Sequence, residues 1–174
     1  MLSGYFKRLL MARQLHFLEG DVGIFDVNFT LIPTNHYVYL RKILEKKYSK
    51  VGIALLYEAG KKTSVEVSTQ FYKRFKAQKI ESITLWQNII ELTGFAKVSS
   101  IKNKDSSISV ELTSSFAKKF VENEGKKSGM NVDEFMAGYL AGIFSNVYGK
   151  EFECKEIKCI AAGNPYCEFI LKAK

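Results

Sequence analysis

The chain has 174 residues, 47% hydrophobic and 25% charged, with a formal net charge of +8. These proportions are ordinary for a globular domain and exclude a disordered or collagen-like chain; the length suits one domain over residues 1–174 with a substantial core. No run of about 18 apolar residues occurs, so no membrane span is expected, and Lys7, Arg8 and Arg13 interrupt the stretch where a signal peptide would be apolar, which points to a cytoplasmic protein.

Residues 3–17 suit an amphipathic helix with Tyr5, Phe6, Leu9, Leu10 and Leu15 on its apolar side. Residues 23–32 alternate, with Phe25, Val27, Phe29 and Leu31 on one face, as a half-buried strand stopped by Pro33. Thr34 or Asn35 is placed to cap a helix to about residue 48. A shorter apolar helix over 51–59 ends at Gly60, another runs from Thr63 or Ser64 to about residue 76, and a fourth from Ser82 to about residue 92. Residues 95–102 and 107–112 flank the turn-forming Asn103-Lys-Asp-Ser106 and read as a β-hairpin. Ser114 or Ser115 then caps a helix over 116–124.

The last third carries the strongest patterning. Asn131 or Asp133 is suited to cap a helix whose apolar face includes Phe135, Met136, Tyr139, Leu140, Ile143 and Phe144, and Gly149 closes it as a C′ glycine. Gly138 and Gly142 share one face. Interior helix glycines cost about 1 kcal/mol each relative to alanine, so this pair implies close approach of another backbone or of a ligand. A hairpin follows. Alternation places Phe152, Cys154, Glu156 and Lys158 on one face and Cys159 on the other; Ala162-Gly-Asn-Pro165 forms the turn; the return strand carries Cys167, Phe169 and Leu171. Cys159 and Cys167 meet across the hairpin mouth, as a metal pair, a disulfide or small buried hydrophobes. Three cysteines are an odd number, against a disulfide framework. Helices dominate the N-terminal half and hairpins bracket a helix pair in the C-terminal half. The fold class is α+β: an antiparallel β-sheet with helices packed against it, ending in a helix plus β-hairpin.

Gly138-Tyr-Leu-Ala-Gly142, followed by Glu156-x-x-Cys159-x-Ala-x-Gly163-x-x-x-Cys167-x-Phe169, resembles the signature of the 4-vinyl reductase (4VR) domain. That family includes a bacteriochlorophyll-biosynthesis protein and the sensor domains of phenol-responsive bacterial activators, and is related in fold to subunits of a vesicle-tethering complex. The resemblance implies a small-molecule-binding sensor or carrier domain, with an apolar or aromatic ligand near Phe116, Phe135, Gly138, Tyr139 and Gly142. It also implies zinc. Carried over from the phenol sensors, two ligands match Cys159 and Cys167. A third, cysteine in the sensors, falls at Asp133. The fourth, a glutamate, falls at Ala117, which cannot ligate, so Cys154, Glu111 or water would complete the shell.

No phosphate-binding glycine loop, nucleophile elbow or paired-histidine zinc motif is present. His16 and His36 have no catalytic group tied to them by sequence. No nicotinamide or flavin fingerprint accompanies the resemblance, so a reductase acting alone is not expected. The lysines are scattered without a nucleic-acid-binding motif, as on a solvated surface. A homodimer is expected. The alternatives are a dimeric interaction module without a ligand and an accessory protein of tetrapyrrole biosynthesis.

Overall fold

The structure, a computed structural model, describes residues 11–12, 14–18, 20–24, 27–75, 79–104, 106–125 and 129–174. Among these, β1 (Leu15–Leu18), β2 (Asp21–Ile24) and β3 (Val27–Phe29) form a three-stranded antiparallel sheet. Two helices follow, α1 (Asn35–Phe75) and α2 (Lys79–Leu92). Then come β4 (Ala96–Lys104), β5 (Ser107–Ser114), α3 (Ser115–Glu124), α4 (Glu134–Tyr148), β6 (Phe152–Lys158) and β7 (Cys167–Ala173). The second sheet is antiparallel in the order β4-β5-β7-β6. The α+β class read from the sequence is borne out.

The N-terminal quarter departs from the expected pattern. Residues 1–10 of the expected first helix lie outside the described residues, and Leu15–Leu18 is a strand. The single strand expected over 23–32 is two, β2 and β3, paired with Ile24 opposite Val27. Alternation alone does not mark a reversal of the chain, because both strands of a hairpin keep the same period. At Gly23 an added Cβ would overlap the His16 ring across the β1–β2 pair.

α1 is the largest correction. The helices expected to end at Gly60 and restart at Thr63 are one element, interrupted instead at Ser49, where φ is 50° and ψ −131°. That left-handed φ is unusual for a residue with a side chain and marks a sharp change of direction. Gly60 is not a terminator. It faces α4, where an added Cβ would overlap the carbonyl of Phe135. Gly138 meets the Tyr57 carbonyl in the same way, and Gly142 meets Ser64 and the Lys61 carbonyl. Three glycines from two helices thus let α1 and α4 cross backbone to backbone, and α1 is what the two helix glycines of α4 approach.

α4 is the central element: Met136 through Phe144 are all buried. Its other side lies over the inner face of the second sheet, where Val110, Leu112, Phe169 and Leu171 are fully buried. The local signals of this half hold. Ser114 caps α3 by accepting from the Phe116 and Ala117 amides at 3.1 and 3.3 Å. Gly149 ends α4 at φ 66° and donates to the Ser145 carbonyl. The free edge of β6 is covered by side chains. Phe152 N donates to Ser145 Oγ at 2.9 Å, Cys154 N to Tyr57 Oη at 3.1 Å, and Asn131 Nδ2 to the Glu156 carbonyl at 2.7 Å. An edge satisfied in this way offers little to an incoming strand.

Candidate metal centre and ligand cavity

The final hairpin and the start of α4 bring four donors together. β6 and β7 pair regularly until a register shift between Glu156 and Lys158. An irregularity there breaks strict alternation, so Cys159, expected on the face opposite Glu156, comes to the same side. Asn164 then pins the turn: its Oδ1 accepts from Cys159 N at 3.1 Å and its N donates to the Cys159 carbonyl at 3.0 Å. Cys159 and Cys167 are 0% exposed and Glu156 7%. One ligand atom from each of Glu156, Cys159 and Cys167 lies within 4.8 Å of the others, the only group of this kind among the described residues.

Asp133 stands beside this trio, 0% exposed. It occupies the N-cap position of α4 but makes no capping hydrogen bond, contrary to the cap expected from its type. Neither of its carboxylate oxygens has a partner in hydrogen-bond geometry, and Glu156 Oε1 also lacks one. The other Glu156 oxygen accepts from Asp133 N at 3.2 Å.

The electrostatics follow from this crowding. Burial raises the Asp133 carboxyl to about 7; the nearby Ser114 hydroxyl and Met136 amide, short of full hydrogen bonds, oppose the shift, and the Cys159 and Glu134 charges add to it. Burial, with the Asp133 and Cys159 charges behind it, raises Glu156 to about 10. The hydrogen bond from Cys167, helped by Glu156 and by the Val132 and Ala161 backbone, lowers the Cys159 thiol to about 6 against its own burial. The same bond pushes Cys167 far up. Without a cation the cluster thus holds one thiolate and keeps protons on groups that would otherwise be anionic. A divalent ion reverses that preference by stabilising every deprotonated donor.

Of the residues expected at the metal, Cys159, Cys167 and Asp133 come together. Glu156 is the donor that sequence reasoning missed, although it stands in the Glu-x-x-Cys signature. Ala117 is buried in the core. Glu111 bonds Lys102 at 3.0 Å instead, and Cys154 lies outside the trio, its thiol raised by burial.

The residues expected at a ligand form a packed aromatic group. Phe116 stacks on Tyr37 with centroids 4.2 Å apart, and Phe135 and Tyr139 meet Phe95 at 5.8 and 5.4 Å. Space opens elsewhere on α4. A cavity of about 130 Å³ lies between the C-terminal parts of α1 and α4 and the α2 helix, lined by Ser68, Phe71, Tyr72, Ser82, Leu85, Trp86, Ile143, Asn146 and Val147. Trp86 is 2% exposed and its Nε1 has no hydrogen-bond partner.

Residues 117–173 match the family model of the vinyl-4-reductase (4VR) domain. The resemblance read from the hairpin and from Gly138 to Gly142 is therefore borne out over the α3–β7 half. The whole chain is similar in structure to the phenol-responsive sensory domain of the transcription activator PoxR with phenol, at a TM-score of 0.76 and 19% identity, covering 99% of this chain and 92% of that one. It is similar to a vinyl-4-reductase family protein from Methanocaldococcus jannaschii at 0.57 and 20%, over 84% of each chain. A third likeness, at 0.54 and 15% over 81% of this chain and 92% of that one, is to trafficking protein particle complex subunit 3 from Naegleria fowleri covalently bound to palmitic acid. At these identities the likeness is one of fold. No curated protein matches the sequence. No helix among the described residues is long and apolar enough to cross a membrane.

Proposed function

We propose that this is a cytoplasmic small-molecule-binding sensor or carrier domain that holds a zinc ion at its final hairpin. The observation that carries the metal is the set of buried, unpartnered donors: both oxygens of Asp133 and one of Glu156, beside two thiols. Buried polar atoms without partners cost about 1–3 kcal/mol each, and a cation would relieve all of them at once. Two thiolates and two carboxylates suit zinc, which takes four ligands of mixed sulfur and oxygen type. Bound there, zinc would join β6, β7 and the start of α4 and serve as a structural ion. The decisive measurement is metal content by elemental mass spectrometry on protein purified without a metal-affinity tag. About one zinc per chain, absent from the Cys159→Ser, Cys167→Ser variant, is the expected result; no metal in the native protein overturns the reading.

For the ligand, the cavity at Trp86 supports a one-ring aromatic or similarly small apolar molecule carrying a hydrogen-bond acceptor. Apolar cavities of about 150 Å³ accept benzene, and a buried indole N–H gains from an acceptor. The fold likeness to a phenol-responsive domain agrees with this class of ligand. Phe116, Phe135 and Tyr139 would brace the N-terminal half of α4, and Gly138 and Gly142 would set its distance from α1. A panel of phenols and other small aromatics should raise the thermal midpoint; no shift from any member counts against a ligand role.

Tyr39, Leu40, Ile43, Tyr48, Val51 and Leu55 are 40–66% exposed along α1. They support the homodimer, which light scattering tests.

A further inference from the structure

We infer that Arg41 is a positioning residue of the metal centre: it holds the loop that presents Asp133. The inference rests on the metal reading above, and concerns a residue of a different helix that touches none of the donors.

Arg41 lies in the first part of α1 and is 2% exposed. Its Nε and Nη2 bond the two carboxylate oxygens of Glu134 at 3.0 Å each, and Nη1 bonds Glu45 at 2.8 Å. Nη2 also reaches the Asn131 carbonyl at 3.4 Å. Its Cζ sits 5.5 Å from the Phe120 ring centre, so α3 closes the remaining side. The guanidinium therefore grips the residue immediately after Asp133 and the residue two before it. One helical turn away, Tyr37 extends the grip: its hydroxyl donates to the Val132 carbonyl at 3.3 Å and accepts from Phe135 N at 3.4 Å. From the opposite side, Asn131 Nδ2 bonds the Glu156 carbonyl.

Asp133 needs such a grip because its own position gives it none. An aspartate at an N-cap ordinarily turns its carboxylate back onto the first helical amides, which contributes about 1 kcal/mol. Here that bond is missing, with φ −112° and ψ 47°. The carboxylate is held away from the amides by backbone that is anchored on both flanks. A planar fork suits the task, since it meets a carboxylate with two parallel bonds and still reaches other acceptors. The charge is neutralised locally, between Glu134 and Glu45. The role of Arg41 is thus geometric, of the kind that outer residues play in orienting metal ligands.

The test is a double-mutant cycle read by chelator-competition titration with Co(II), whose thiolate absorbance reports whether Cys159 and Cys167 still bind. Arg41→Met is expected to lower Co(II) affinity about 10- to 100-fold with the thiolate bands retained. Asp133→Asn should lower it by a similar factor. In the double variant the two losses should not multiply, because both remove the same donor. Arg41→Lys, which keeps the charge and most of the bulk, should fall between native and Arg41→Met. It serves for the cycle where Arg41→Met does not fold. Native affinity in both Arg41 variants overturns the inference, as does a loss that multiplies in full with that of Asp133→Asn. Failure of the native protein to bind Co(II) or zinc is a separate result, which removes the metal reading itself.

Discussion

At the N-terminal end of α4, polar atoms stand without partners inside a rigid frame; at its C-terminal end, an indole N–H stands without a partner beside empty space. The first end is fastened by Arg41, Tyr37, Asn131 and Asn164, each bonding backbone or carboxylate within two residues of a donor or to Cys159 itself. The second end has a cavity of about 130 Å³ and mostly apolar walls. Metal ligands must be held to within fractions of an ångström, whereas a small apolar guest needs room and one or two directing groups. The same helix meets both requirements because its middle is locked to α1 at Gly60, Gly138 and Gly142.

The contrast breaks most completely at the hairpin. Replacing Cys159 and Cys167 by serine should take bound zinc from about one per chain to none and lower the unfolding free energy of the zinc-loaded protein by roughly 3 kcal/mol or more. Elemental analysis and urea denaturation check the two parts, and a double variant that keeps its metal would sink the idea that the thiols hold it. Next in size, Gly138→Val should cost about 1–3 kcal/mol in urea denaturation, because its side chain meets the Tyr57 carbonyl, which belongs to a helix and yields little. A loss well under that range would mean that the two helices separate freely.

The metal-free protein should also show a pH signature. Asp133 and Glu156 have raised pKa values when folded, about 7 and about 10. Both are protonated in the folded protein and ionised in the unfolded chain around pH 5–6, so stability is greatest below their unfolded pKa values and falls as pH rises. The slope is up to about 1.4 kcal/mol per pH unit for each carboxylate. Above about 6 the lowered Cys159 thiol acts in the opposite sense. Denaturation of chelator-treated protein from pH 4.5 to 6 tests this; stability that climbs across that window contradicts the burial of the two carboxyls without a cation.

At the other end of α4, Trp86→Phe removes the N–H and keeps most of the apolar wall. Affinity for a phenolic ligand should drop about 5- to 10-fold, the value of roughly one hydrogen bond, as read by calorimetry; an unchanged affinity places the ligand elsewhere. Smallest in stability, Leu40→Lys with Ile43→Lys on the exposed face of α1 should move the unfolding free energy of the monomer by only about 0.5 kcal/mol. The pair should nevertheless turn a dimer into a monomer by light scattering, and a dimer that survives it uses another surface.

Much of the C-terminal half was legible because its signals are local. Ser114, Gly149 and the Ala162–Pro165 turn act within a few residues of themselves, and the apolar face of α4 is read directly from its spacing. The N-terminal half was less so. The strand expected over 23–32 hid a reversal, and Gly60 read as a stop when it is a point of contact. A glycine has no side chain to declare its purpose, and only the helix that crosses it separates the two.

The candidate site divides in the same way. Cys159 and Cys167 were bound to meet, since a hairpin turn joins them, and Asp133 came from the family pattern. Glu156 was in plain view but placed on the wrong face, because strict alternation does not foresee an irregular register. Arg41, more than ninety residues from Glu134, carried no signal at all. By itself the sequence determined the helix-plus-hairpin unit, its caps and its pair of thiols, for these depend on backbone preferences and spacings of a few residues. The tertiary structure alone decided which carboxylates join the thiols, what holds them and where α4 leaves room for a guest. Those depend on how distant segments cross, and no local preference encodes a crossing.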